Sequence, residues 1–138
     1  MRYLLDTNTC IAYLNGRSPA VRGRLEGLSP QDVALCSIVK AELFFGAQKS
    51  KVSQRTLAKL RAFFLPLVSL PFDDECAEAY GTIRAEIERA GTPIGPNDLL
   101  IASIARAHDV TLVTSNVAEF QRVGGLKIEN WELEPSGG

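Results

Sequence analysis

Asp6, Glu42 and Asp98 are the side chains of this sequence best placed to do chemistry, and they would do it with oxygen donors. Asp6 follows the apolar run YLL, Glu42 sits inside AELFF, and Asp98 opens the apolar run DLLIASIA directly after GTPIGPN. Asn116 and Glu119 follow a further apolar run, TLVTS. Each acid has an ordinary use of its own. Asp98 can complete a helix dipole from the first turn, Asp6 can cap a helix, and Glu42 can be a solvated helix residue. Their coincidence asks for more, because two unit charges about 4 Å apart repel by about 4 kcal/mol at an effective dielectric of about 20. No Lys or Arg lies within three residues of Asp98, and only Lys40 is near Glu42, so a divalent metal is the natural counter-charge. Oxygen ligands without His or Cys favour Mg²⁺ or Mn²⁺ over zinc. Such an ion activates water and neutralises charge developing on a phosphodiester.

The elements that would carry these residues alternate. RYLLD reads as a short buried strand that ends in Asp6, and TNTCIAYLNG as a helix stopped at Asn15-Gly16. Pro19 to Leu28 forms a second helix, DVALC a second strand, and Ser37 is expected to cap a third helix through IVKAELFFGAQ, with Glu42 about one turn in. Leu57, Leu60 and Phe64 share a face of a fourth helix, and LVSL is the third strand. Cys76, Tyr80, Ile83 and Ile87 stripe a fifth helix from Asp73 to Gly91. The helix opened by Asp98 runs to about His108, and then come the strand TLVTS, a helical turn near Glu119 and a last strand, LKIEN. This order predicts an α/β fold, a mostly parallel sheet of about five short strands flanked by helices. Ligands of such sheets gather outside the carboxyl ends of the strands, where the acids fall.

A chain of 138 residues with 46% hydrophobic content closes one core, which predicts one domain over residues 1–134 and a short tail, 135–138. No hydrophobic segment reaches membrane-spanning length and none has a signal-peptide pattern, so a soluble, cytoplasmic protein is expected. Cys10, Cys36 and Cys76 lie far apart, without CxxC spacing or a nearby histidine, and read as small core residues, not as disulfides or zinc ligands. The net charge of −1 supplies no global positive field, so any nucleic-acid surface must be local. From Leu43 to Phe72 there is no acid, while Lys49, Lys51, Arg55, Lys59 and Arg61 supply positive charge. This stretch is either an RNA-backbone surface or a solvated helix face. Arg17, Arg22 and Arg24 form a weaker basic group. His108, the single histidine, is placed at a helix C-terminus, where positive charge is favoured.

The stretches YLLDTNTCIAYL, SIVKAELFFGAQKS, GTPIGPNDLLIASIA and TLVTSNVAEF resemble, in order and spacing, the motifs of PIN-domain ribonucleases, in particular the VapC-type toxins of bacterial toxin–antitoxin pairs. The resemblance implies a PIN-like fold and a Mg²⁺- or Mn²⁺-dependent endoribonuclease. It further implies a homodimer held inactive by a cognate VapB-type antitoxin, with DNA contacted only through that antitoxin. Carried over by position, Asp6 and Asp98 would be the principal metal ligands and Glu42 the third acid, while Thr7, Asn8, Thr114 and Asn116 would orient carboxylates and water. The departure is Asn116, where many PIN domains carry a fourth acid; Glu119, about one helical turn on, is the expected substitute. One metal or two stays open. Two other readings stand beside this one. The first is a non-catalytic PIN module that binds an antitoxin. The second is a haloacid-dehalogenase-type phosphatase, suggested by LLDTNT but lacking the second Asp where this chain has Asn8.

Overall fold

Each of the short apolar runs becomes a strand: β1 (Tyr3–Leu5), β2 (Val33–Cys36), β3 (Val68–Leu70), β4 (Thr111–Val113) and β5 (Ile128–Glu129). The computed structural model describes residues 1–133, so the tail expected at 135–138 lies outside the described residues. The strands form one sheet in the order β3-β2-β1-β4-β5, and every pairing is parallel. The helices between them are α1 (Thr7–Leu14), α2 (Pro19–Glu26), α3 (Ser37–Gln48), α4 (Ser53–Phe64), α5 (Asp74–Arg89), α6 (Pro96–Ala107) and α7 (Val117–Phe120). Strands β1 and β2 are buried at every residue, as expected of central parallel strands covered on both faces. One hydrophobic core runs from Tyr3 to Trp131. Among the described residues no helix is long and apolar enough to cross a membrane.

Helix boundaries follow their punctuation. Asp6 caps α1 through the Thr9 amide, Ser18 caps α2 ahead of Pro19, and Asp73 caps α5 through the Cys76 amide. Helices α1 and α5 stop just before Gly16 and Gly91, whose φ values of +71° and +69° favour glycine. The start of α3 differs from expectation. Ser37 is already helical, and Cys36 is the cap residue, with no side-chain hydrogen bond. The physical reason is that β2 runs straight into α3, so the residue with extended backbone at the boundary is the last one of the strand, a buried cysteine. Leu60 and Phe64 bury one face of α4, with Leu57 packed beside them, while Arg55, Lys59 and Arg61 stay exposed.

Two features set up the site. Leu5 of β1 pairs with Val113 of β4, and the Asp6 amide donates to the Val113 carbonyl at 3.0 Å, so Asp6 and Thr114 leave the sheet side by side. Helix α6 is buried along most of its length, including Leu99, Ile101, Ala102, Ser103, Ile104 and Ala105, and is thereby fixed with Asp98 in its first turn.

Candidate active site

Asp6 is only 5% exposed and held from two sides. Its Oδ1 accepts the Thr9 amide at 2.8 Å, and the Thr114 side chain, close by, lowers its carboxyl from the other side. Thr114 in turn accepts the Asn116 amide at 2.9 Å, which leaves its hydroxyl proton for Asp6. Thr9, whose hydroxyl donates to the Val113 carbonyl at 3.1 Å, ties the same corner to β4. Burial still raises the Asp6 carboxyl above its ordinary value against these bonds. Glu42 reaches the corner from α3, where Thr7, the first residue of α1, donates to its Oε1 at 2.7 Å.

Asp98 is pushed up to about 7, first by burial and then by Glu119, with Glu42 and Asp6 adding to the rise. Four acids from four segments therefore act on one another in one field. Glu119 is held the opposite way. Its Oε1 accepts the Gly95 amide at 2.7 Å, which keeps its carboxyl below the usual range, and Asn116 donates its amide to Oε2. Within the pair, Asp98 is the carboxyl that is raised and Glu119 the one that is lowered. A Cβ built on Gly95 would lie 3.6 Å from Glu119 Oε1 and 3.7 Å from Asp98 Oδ2, which places this glycine against both carboxylates.

The remaining expected residues separate into those at the pocket and those away from it. Lys49 stacks its Nζ 4.9 Å from the centre of the Phe45 ring, and the two line a cavity of about 530 Å³ with Thr7, Glu42 and Asn97. Lys59 donates to the Leu14 carbonyl at 2.6 Å and lines an apolar groove of about 290 Å³ between α1, α3 and α4, with Glu42 at its edge. Lys51, Arg55 and Arg61 are exposed but line neither of these two depressions. Arg17 and Arg24 pair with Glu132 and Glu129, so that basic group is largely neutralised by acids. Asn8 is exposed, and its side chain makes no hydrogen bond to the acids among the described residues. Nothing in the residue pattern points to the Gly95 amide or to Thr9, and Phe45, 64% exposed, is one of two adjacent phenylalanines that pattern alone does not tell apart.

The three cysteines are free and buried, as expected. One expectation is corrected nevertheless: Cys76 does have a histidine nearby. His108 caps α6 at its C-terminal end, and there one donor atom each of Asp73, Cys76 and His108 lie within 4.8 Å of one another.

A family model described as the PIN domain matches residues 3–126. The chain is 43% identical over 133 residues to Ribonuclease VapC2 of Rickettsia felis, covering 96% of this chain and 99% of that relative. It is 39% identical to the tRNA(fMet)-specific endonuclease VapC of Shigella flexneri, over 95% of this chain and 98% of that one. The crystal structure of DNA-bound VapBC from Salmonella typhimurium contains a chain that superposes with a TM-score of 0.90 at 38% identity, covering 95% of this chain and 98% of that chain.

Proposed function

The chain belongs to the PIN-domain family, and within it to the VapC ribonucleases, and on that premise we propose that it is a single PIN domain over residues 1–134 acting as a Mg²⁺- or Mn²⁺-dependent endoribonuclease toxin. The observation that carries this reading is the convergence of Asp6, Glu42, Asp98 and Glu119 at the carboxyl ends of β1 and β4, where the charged groups acting most strongly on Asp98 are all acids. Such a set is short of positive charge and offers oxygen alone, which fits a hard divalent ion and not zinc. When bound, that ion supplies an activated water and a counter-charge for the phosphodiester undergoing hydrolysis. Asp6 and Asp98 would be its principal ligands, Asp98 as the ionised carboxylate. Glu42 is the third acid, aimed by the hydroxyl of Thr7. Glu119 serves as the fourth acid in place of Asn116, which instead orients it. Thr114 and the Thr9 amide fix Asp6, so that no ligand has to reorganise as the phosphate approaches. Lys49 is the basic side chain best placed to meet the RNA backbone, with Lys51, Arg55 and Lys59 contributing at longer range.

The partners follow the same reading. A transfer RNA is the first substrate to test, given the tRNA(fMet) specificity in the name of the Shigella flexneri relative. A VapB-type antitoxin would lay an apolar segment along the groove formed by Ile11, Leu14, Leu43, Ala47 and Leu60 and bring an arginine to the acids beside Glu42, a planar fork matched to carboxylates. DNA is reached only through that antitoxin, the toxin itself is a homodimer, and its unpaired buried cysteines fit the reducing cytoplasm. The phosphatase reading of LLDTNT falls away, because the position that would need a second Asp is the exposed Asn8.

The test is cleavage of a transfer-RNA pool with Mg²⁺ or Mn²⁺, with an EDTA control, by the parent and by Asp6→Asn, their folds compared by circular dichroism. Loss of cleavage with EDTA and in a folded Asp6→Asn variant is the expected result. Cleavage that survives either change, or a parent that binds antitoxin but cuts no RNA, would remove the acidic pocket from the mechanism.

A further inference from the structure

The contact between the start of α5 and the end of α6 contains donors that the acidic pocket lacks. Asp73 caps α5, and its Oδ1 accepts the Cys76 amide at 3.1 Å, which fixes the carboxylate above the first turn. Cys76 is fully buried, and its Sγ lies 3.8 Å from the Pro71 carbonyl and beside the Asp73 carboxylate. His108 arrives from the other helix with Nε2 buried and without a hydrogen-bond partner. A buried, unsatisfied imidazole nitrogen is costly, and a coordinated cation is one of the few groups that resolves the cost.

We propose that Asp73, Cys76 and His108 form a binding site for a thiophilic divalent cation of the zinc class, joining the start of α5 to the end of α6 and separate from the acidic pocket. One donor atom from each residue lies within 4.8 Å of the others. Donors around a tetrahedral zinc ion stand about 3.3–3.8 Å apart, so small side-chain adjustments would close the set. Sulfur, nitrogen and one carboxylate oxygen select zinc over magnesium. Water takes the fourth position on the exposed side of Asp73. Binding displaces the Cys76 thiol proton to solvent, so affinity rises with pH. His108 lies ten residues after Asp98, about 15 Å along the helix axis, so the two sites share no ligand. The inference does not rest on the ribonuclease reading, since it requires no RNA and no acid of the pocket.

The experiment titrates the full chain, carrying Asp98→Asn to weaken the acidic pocket, with Zn²⁺ under equilibrium dialysis and with Co²⁺ followed by absorption. One zinc per chain is expected, retained against excess Mg²⁺, with a Co²⁺–thiolate charge-transfer band and a raised melting temperature. Cys76→Ser should abolish the band. His108→Gln and Asp73→Asn should each weaken zinc binding about tenfold or more, as lost ligands do. Asn caps a helix as well as Asp, and His108 is only half-buried, so both variants keep the test valid if Cys76→Ser does not fold. The absence of bound zinc, the absence of a thiolate band, or zinc binding indifferent to His108→Gln would each overturn the proposal.

Discussion

Helix α6 ends in two polar clusters of different chemical kinds. At its N-terminal end Asp98 meets Glu119, Glu42 and Asp6, oxygen against oxygen, while at its C-terminal end His108 meets a thiol and a carboxylate. The helix dipole favours an acid at the first position, but by only about 0.3–1 kcal/mol at an exposed site. A like charge about 4 Å away costs about 4 kcal/mol at an effective dielectric of about 20. Burial, with the crowding of Glu119, Glu42 and Asp6 added to it, wins, and Asp98 is pushed up to about 7 in spite of the dipole. The contrast separates a cluster of like charges, which needs a cation to offset its repulsion, from a cluster of unlike donors, which would take a cation for its nitrogen and sulfur.

Exchanging the variants between assays breaks the comparison most directly. Asp98→Asn should lower RNA cleavage on the order of 10²–10³-fold or more, the scale of a lost electrostatic contact to the reacting group, while His108→Gln leaves cleavage in Mg²⁺ within about twofold. Equal losses in a single-turnover assay would mean that the two ends act as one unit. Glu119→Gln should come next, with activity at limiting metal falling about 10–100-fold and by more than in Asn116→Ala, because an amide orients water but brings no charge. If a metal titration of rates finds Glu119→Gln equal to the parent, Glu119 is only a brace for Gly95.

Thr7→Val should have a smaller effect, near tenfold at the low end of the range for residues that orient ligands. It removes the 2.7 Å bond to Glu42 without touching a carboxylate. A rate unchanged in Mg²⁺ would show that Glu42 needs no aiming.

The smallest effect is on stability. Asp98 holds its proton more tightly in the folded chain than in the unfolded one, where its value is near 3.8, so the metal-free fold is favoured at low pH. That advantage is lost as pH rises from about 4 to about 7. Urea midpoints measured in EDTA across this window should therefore fall with pH, and Asp98→Asn should flatten the slope. A slope preserved in Asp98→Asn would assign it to another group.

Asp6 and Glu119 were legible because each follows an apolar run that becomes a strand, and Glu42 and Asp98 because each is the lone acid of an apolar helix. Thr7 and Thr114 were legible only through resemblance. Asn8 resembled them equally well and proved exposed, since motif spacing does not say which way a helix turns its second residue. The Gly95 amide left no signature, because a backbone donor is present at every residue except proline. The Asp73, Cys76 and His108 group was hidden for a different reason. Asp73 and Cys76 sit one turn apart, but His108 joins them through the packing of α5 on α6, a tertiary contact between residues 32 positions apart that no local spacing rule detects.

The placement of β1, first in the chain and central in the sheet, also governs when the protein can act. Asp6 leaves the ribosome early, but its partners Val113 and Thr114, and the acids Asp98 and Glu119, are translated last. A nascent chain can pair β1 with β2 and pack the first helices, yet it cannot gather the four carboxylates until residue 119 is free of the tunnel. The acidic pocket is thus complete only when nearly the whole chain has been made.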